Sequence, residues 1–102
     1  MIDKKQIVDN IIDSLKFNIK FAEWENIGIR RPLESHYAVV VWCEEDLTGK
    51  YFTVSIREHS TDTEWGKDLA NIEKCANYDK DYDELRSVIW ECFDLYDKYK
   101  EV

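Results

Sequence analysis

Glycine and proline are scarce in this sequence, with three glycines and one proline among 102 residues. This scarcity argues against long flexible linkers, and no internal repeat or low-complexity segment divides the chain, so we predict one globular domain over residues 1–102. No apolar run is long enough to cross a bilayer, and the first residues lack the apolar core of a secretory signal. We therefore expect a cytoplasmic protein with no membrane partner.

Motifs that carry chemistry are also lacking. The chain has no glycine-rich phosphate loop, no GxSxG and no HExxH pattern, which argues against nucleotide-binding, serine hydrolase and zinc protease classes. Its cysteines are odd in number, Cys43, Cys75 and Cys92, and form no CxxC pair. We read them as reduced thiols, with Cys43 and Cys92 buried as small apolar residues. The expectation is a protein without enzymatic activity or cofactor.

Two apolar runs, residues 37–43 and 51–57, flank a polar loop that contains a glycine, the pattern of a β-hairpin. Successive side chains of a strand point to opposite faces, so the alternation in the second run predicts a core-facing set. The expected register places Phe52, Val54 and Ile56 opposite Trp42, Val40 and Ala38, respectively.

The first run of the hairpin is apolar on its other face as well, which is typical of a central strand covered twice. This second face carries Tyr37, Val39, Val41 and Cys43. Either a helix or loop of the chain covers it, or a partner does. A homodimer or scaffold module that pairs through Tyr37, Val39, Val41 and Tyr51 is therefore one functional alternative.

The remaining periodicities predict helices around the hairpin. Asp3 resembles the cap of a helix over residues 4–16, and Asp81 with Glu84 repeats that pattern before a helix over 81–100. We also expect a strand from Phe17 to Phe21, a turn and short strand over 25–31 that ends at Pro32, and a short helix over 66–76. The order predicts an α+β fold: an antiparallel sheet of three to four strands centred on the 37–57 hairpin, packed by an N-terminal helix and one or two C-terminal helices.

Acidic residues outnumber basic ones, giving a formal net charge of −8. Residues 58–102 carry thirteen acids and six bases, so most of the excess lies in the C-terminal part. Direct binding to nucleic acid is disfavoured, because phosphate contacts need cations. A negative surface instead favours a basic protein partner and steers its approach. Solubility alone explains the same acidity equally well.

The predicted last helix has one sharply patterned polar face. At 100° per residue, its acidic line lies opposite the apolar stripe, and Trp90 falls in the middle of that line. The candidate partner-binding residues are Asp83, Trp90, Asp94, Asp97 and Glu101, joined by Glu44, Glu45 and Asp46 of the hairpin loop. Exposed tryptophans are frequent interface anchors and receive cationic side chains well. The structural alternative is that the segment 64–78 or Trp24 covers Trp90.

His36 and His59 offer a third possibility at the open end of the hairpin. Two imidazoles near Glu34, Glu58 and Asp62 are residue types that bind a divalent metal or transfer protons. Regular pairing places positions 36 and 59 on opposite faces, which favours ordinary surface histidines, and we therefore predict no metal site.

No motif identifies a family. In size, acidity and aromatic content only, the chain resembles several kinds of small acidic inhibitor: immunity proteins that neutralise nuclease toxins, phage-encoded anti-CRISPR or other anti-defence proteins, and DNA mimics. The leading hypothesis is a non-enzymatic protein that inhibits a basic, nucleic-acid-acting partner such as a nuclease by occluding its site.

Overall fold

A computed structural model of the chain describes residues 3–34, 37–58 and 68–100. Its elements, in order, are α1 (Lys4–Ile19), a 3-10 turn (Trp24–Asn26), β1 (Gly28–Glu34), β2 (Tyr37–Asp46), β3 (Gly49–Glu58), β4 (Asp68–Asn77) and α2 (Asp83–Lys100). The four strands form one antiparallel sheet in the order β1-β2-β3-β4. The predicted α+β class is confirmed.

The β2–β3 hairpin turns more tightly than predicted. Asp46 pairs with Gly49, so only Leu47 and Thr48 lie between the strands. The Asp46 Oδ1 accepts hydrogen bonds from the Thr48 backbone N–H (2.7 Å) and hydroxyl (2.5 Å), and Gly49 has a φ of 128°. Aspartate at the first position and glycine at the fourth are the residues that a type I turn prefers.

This turn shifts the register by one residue from the predicted one. The observed partners of Phe52, Val54 and Ile56 are Cys43, Val41 and Val39. The predicted pairing with Trp42, Val40 and Ala38 is wrong because it treated residues 44–46 as loop, whereas they extend β2. A slip of one residue exchanges the two faces of a strand.

In the observed register, the second face of β2, whose cover the sequence did not decide, points into the core. Val39 and Val41 are fully buried in one cluster with α1, α2 and the inner side of β3, and Tyr37 packs against Tyr96 of α2 at 5.2 Å between ring centroids. Helices of the same chain therefore cover this face. Val39 and Val41 are therefore not exposed for pairing with a second copy, and Tyr51 lies on the opposite face of the sheet. Self-association through another surface stays a prediction.

Helix α1 continues past its predicted end. Its cap is as predicted, since the Asp3 Oδ1 accepts from the Gln6 N–H at 3.1 Å. The predicted strand from Phe17 to Phe21 is wrong: α1 runs to Ile19 and a turn follows. The two phenylalanine rings lie 5.1 Å apart and are 65% and 75% exposed, so their alternation does not mark a buried strand face.

Strands β1 and β4 form the two edges of the sheet. Pairing of β1 continues through Pro32, with an irregularity only after it, rather than ending there as predicted. An edge strand tolerates proline because its missing N–H can face away from the ladder.

The predicted helix over 66–76 is wrong in the described residues, which form β4. Ile72 and Ala76 of this strand are buried on the helix side, while Glu73 and Cys75 alternate with them and are exposed. Completion of the sheet beside β3 overrides the local helical spacing in this segment.

Gly28 of β1 lies close against Trp42 on the outer face of β2, and substituting it tests this contact. A Cβ at this position would overlap the Trp42 ring, a side chain that is 37% exposed. We expect Gly28→Ala to lower the free energy of unfolding by about 1–3 kcal/mol, as overpacking does. Urea unfolding of a double-mutant cycle with Trp42→Ala measures the effect.

In the Trp42→Ala background the same substitution should cost less, with a coupling of about 1 kcal/mol. Equal costs in the two backgrounds would show that Trp42 does not constrain Gly28.

Candidate functional site

The start of α2 is organised by Asp79. Its carboxylate accepts hydrogen bonds from the backbone N–H groups of Asp81, Asp83 and Glu84, each at 3.0 Å. These donors, Glu84 and Asp83 foremost, lower the pKa of Asp79. The predicted cap, Asp81, is therefore wrong: Asp81 lies inside the loop that Asp79 closes. Glu84 accepts instead from the Asn77 N–H at the end of β4.

The apolar side of α2 is buried as the periodicity predicts. The buried residues are Leu85, Val88, Ile89, Cys92, Phe93 and Tyr96. Tyr82 precedes the helix with a φ of 61°, and its ring is also buried. Burial, with Tyr78 next to it, raises the pKa of Tyr82 to about 12. Because one side of α2 is fixed on the sheet, the opposite side must face outward.

Trp90 stands on this outward side and is 40% exposed. Its ring meets Phe93 edge-on, with centroids 5.7 Å apart and an interplanar angle of 88°. Trp24 packs elsewhere, on Phe52 and Tyr78, and donates its indole N–H to the Glu44 carbonyl at 2.6 Å. The alternative that Trp24 covers Trp90 is therefore wrong.

Carboxylates lie along α2 on both sides of Trp90, and neighbouring cations neutralise them to different extents. Asp97 forms an ion pair with Lys4 of α1, and Asp83 lies 3.5 Å from Arg86. Asp94 is exposed and takes part in no ion pair within the described ranges. Exposed ion pairs are weak, so Asp83 also retains most of its capacity to meet another cation. Glu101 lies outside the described residues.

The hairpin loop contributes acids of two kinds. Glu44 is half-buried, and burial first, then the hydrogen bond that Tyr51 donates to Glu44, raises the pKa of Tyr51. Glu45 and Asp46 are exposed, and the bonds from Thr48 lower the pKa of Asp46. Only Glu45 and Asp46 therefore present their carboxylates outward.

The loop lies at the end of the sheet where α2 begins. The Tyr78 N–H donates to the Lys50 carbonyl at 3.1 Å, which ties the chain before α2 to the strand that leaves the loop. The other end of α2 reaches Tyr37, at the start of β2. At 1.5 Å per residue, Asp97 is about 21 Å further along the helix than Asp83. The loop acids thus lie at the same end of the molecule as Asp83 and not beside the whole predicted row.

From the sequence, Asp83 was predicted as a site residue, but its acidic neighbours Asp81 and Glu84 at this end of the molecule were missed. Asp81, Asp83 and Glu84 precede or open α2, at the same end of the sheet as Glu45 and Asp46. Their density between positions 79 and 84 was the available signal. Acidic side chains at a helix start also favour the helix itself, which is their structural role.

The other chemistry-bearing residues do not converge on a reactive site in the described ranges. His36 and His59 lie outside those ranges, so the metal hypothesis built on them stays untested. In residues 3–34, 37–58 and 68–100 no group of three or more metal-binding side chains is arranged around a common point. Neither described helix is long and apolar enough to span a membrane.

The cysteines behave as apolar residues or lie alone. All three are free, with Cys43 and Cys92 buried as predicted and Cys75 exposed. Burial raises the pKa of Cys43 to about 12 and that of Cys92 to about 11. The thiolate is the reactive form, so these two side chains are poor nucleophiles at neutral pH.

Comparison with known proteins adds no relative, since no family model, curated protein or solved structure matches the chain.

Replacing Asp79 tests whether its carboxylate stabilises the start of α2. Asp79→Asn keeps the shape of the cap but removes its charge and turns one of its two accepting oxygens into an NH2 donor, so we expect a lower melting temperature at pH 7. A carboxylate with a depressed pKa stabilises the fold above its unfolded pKa and loses this contribution as pH falls through the folded pKa. The difference from the unmodified protein should therefore shrink on acidification below about pH 4.

Thermal unfolding followed by circular dichroism between pH 7 and pH 2 gives this comparison. Asp94→Asn is the matched control, because that exposed carboxylate accepts no backbone hydrogen bond in the described structure. A pH-independent difference for Asp79→Asn would contradict the account.

Proposed function

We propose that this chain is an acidic, non-enzymatic inhibitor that occupies a basic surface of a nucleic-acid-acting partner protein. The observation that carries the proposal is Trp90, 40% exposed on the outward side of α2 between carboxylates. Large aromatic side chains are unusual among exposed acids, and they dominate the binding energy of many protein interfaces.

Trp90 has the support that an anchor needs. Its edge-on contact with Phe93 ties the exposed indole to the buried side of α2, which limits the conformational entropy lost on binding. Its remaining exposed ring surface can receive an arginine or lysine of the partner, because the face of an indole attracts cations. Asp94 stands one helical turn further on and can pair with a second cation.

The charge of the molecule supports a basic partner. The net charge of −8 attracts a positive surface over distances near the Debye length, and the acids at the start of α2 add a local focus. Surfaces that bind nucleic acid collect lysine and arginine for their phosphate contacts. Such a surface therefore complements this one, and its occupation blocks the nucleic acid by charge and by volume.

The proposal predicts which substitutions weaken the complex. The partner is first isolated on the immobilised full chain, and its affinity is then measured by titration calorimetry. We expect Trp90→Ala and Asp94→Lys each to weaken binding by tenfold or more, with the loss from Asp94→Lys smaller at high salt.

Matched controls separate this surface from general effects. Trp42→Ala removes a tryptophan of similar exposure on the sheet face away from the helices, and Asp9→Lys reverses an exposed charge on α1. Both controls should bind within twofold of the unmodified chain. Unchanged binding of a Trp90→Ala, Asp94→Lys double variant, or the absence of a basic partner, would refute the proposal.

A further inference from the structure

A groove runs between α1 and the edge strand β1. Its volume is about 440 Å³, and its lining residues are Asp3, Gln6, Ile7, Asn10, Arg31 and Pro32. This volume is within the range of sites that hold small organic molecules, and the groove is shallow and open to solvent, so a ligand in it stays partly exposed. The groove belongs to a different pair of elements from the α2 surface, so ligand binding in it does not depend on the proposed function.

Arg31 makes three hydrogen bonds at this groove. Its Nε donates to Asn10 Oδ1 (2.6 Å), its Nη2 to the Ser14 hydroxyl (2.7 Å) and its Nη1 to the Arg30 carbonyl (2.7 Å). Each Nη carries two hydrogens, so one N–H on each remains unused by these bonds. Two N–H groups on one planar guanidinium are the arrangement that binds a carboxylate in bidentate fashion.

The neighbours of Arg31 leave its charge unneutralised. All three acceptors are neutral groups, and no carboxylate among the described residues lies within ion-pair distance of it. Lys4, Lys74 and Arg86, by contrast, each meet an acid. A guanidinium fixed in place by neutral groups has lost its side-chain entropy already, so an incoming anion costs little further ordering.

We propose that this groove binds a small organic molecule that carries a single carboxylate. The carboxylate meets the two free N–H groups of Arg31, and the amide nitrogen of Asn10 is a further donor because its oxygen already accepts from Arg31. The apolar part of the ligand lies on Ile7 and Pro32. Asp3 in the same lining repels every anion, and a dianion such as phosphate about twice as strongly as a single carboxylate.

Hexanoate, hexanamide and inorganic phosphate are the probes that test this assignment. In a ¹H–¹⁵N NMR titration of the full chain, hexanoate should shift the Arg31 Nε–H and Asn10 amide signals saturably. Hexanamide has the same apolar tail without the charge, and phosphate has charge without the tail. Both should bind at least tenfold more weakly than hexanoate.

Substitutions then assign the site. Arg31→Lys keeps the charge but removes the fork, and should weaken hexanoate binding by tenfold or more. Arg30→Lys, in the same strand but on the opposite face of the sheet, is the matched control and should leave it unchanged. Asn10→Asp keeps Arg31 and gives it an internal carboxylate, so we expect a higher melting temperature together with loss of hexanoate binding.

Several results would overturn the assignment. Absence of a saturable shift, equal affinity for hexanoate and hexanamide, or phosphate binding as tight as hexanoate binding would each do so. Unchanged hexanoate binding in a folded Asn10→Asp variant would also exclude Arg31 as the ligand-binding group, even where Arg31→Lys fails to fold.

Discussion

The two-residue turn at Leu47 and Thr48 is the constraint on which the rest of the structure depends. By pairing Asp46 with Gly49 it sets every partner along β2 and β3. The inner faces of the two strands then combine Val39 and Val41 with the alternating apolar side chains of β3 into one continuous surface. A slip of one residue would turn Trp42 inward and Val41 outward, leaving α1 and α2 without this surface to cover.

The exposed side of α2 is a consequence of that buried surface. Because α2 buries one full apolar stripe on the sheet, Asp94 faces outward and Trp90 stays 40% exposed beside Phe93 of the core. The Lys4–Asp97 contact joins the start of α1 to the end of α2, while Asp79 closes the start of α2 by backbone hydrogen bonds. The acids at the two ends of this helix thus have structural tasks, and Asp94 in its middle has none among the described contacts.

The two proposed surfaces have opposite chemistry. The outward side of α2 offers carboxylates and an indole to a basic macromolecule, whereas the groove between α1 and β1 offers the guanidinium of Arg31 to a small anion. That contrast follows from how each charge is partnered. Asp94 is exposed and unpaired in the described structure, and Arg31 is fixed by three neutral acceptors.

The long periodic pattern of α2 predicted its structure correctly, whereas the short patterns elsewhere in the chain did not predict theirs. The stripe of α2 extends over five turns, so its buried and exposed sides follow from the sequence alone. The register did not, because the acids of β2 look like loop residues, although Asp46 and Gly49 in a four-residue window indicate the turn that forms. The apolar spacing before Ala76 fits a helix locally, and only pairing with β3 makes it a strand.

The candidate sites also contain parts that the sequence predicts and parts that it does not. The row from Asp83 to Asp97 was predictable because it lies on one helix. The loop acids lie at the same end of the molecule as its first turn because Tyr78 is bonded to Lys50, a contact that no local pattern encodes. Arg31 meets Asn10 and Ser14, which are 21 and 17 positions away in the chain, so the sequence shows only a basic pair on a short strand.

Cross-strand nuclear Overhauser contacts in the hairpin test the central claim, that this turn directs the β2 face under the helices. The observed register predicts contacts between Cys43 and Phe52, Val41 and Val54, and Val39 and Ile56, with Val54 of β3 close to Cys92 of α2. Contacts pairing Trp42 with Phe52 and Val40 with Val54 instead would contradict it. In that case the core, and with it the outward side of α2, would have to be assigned anew.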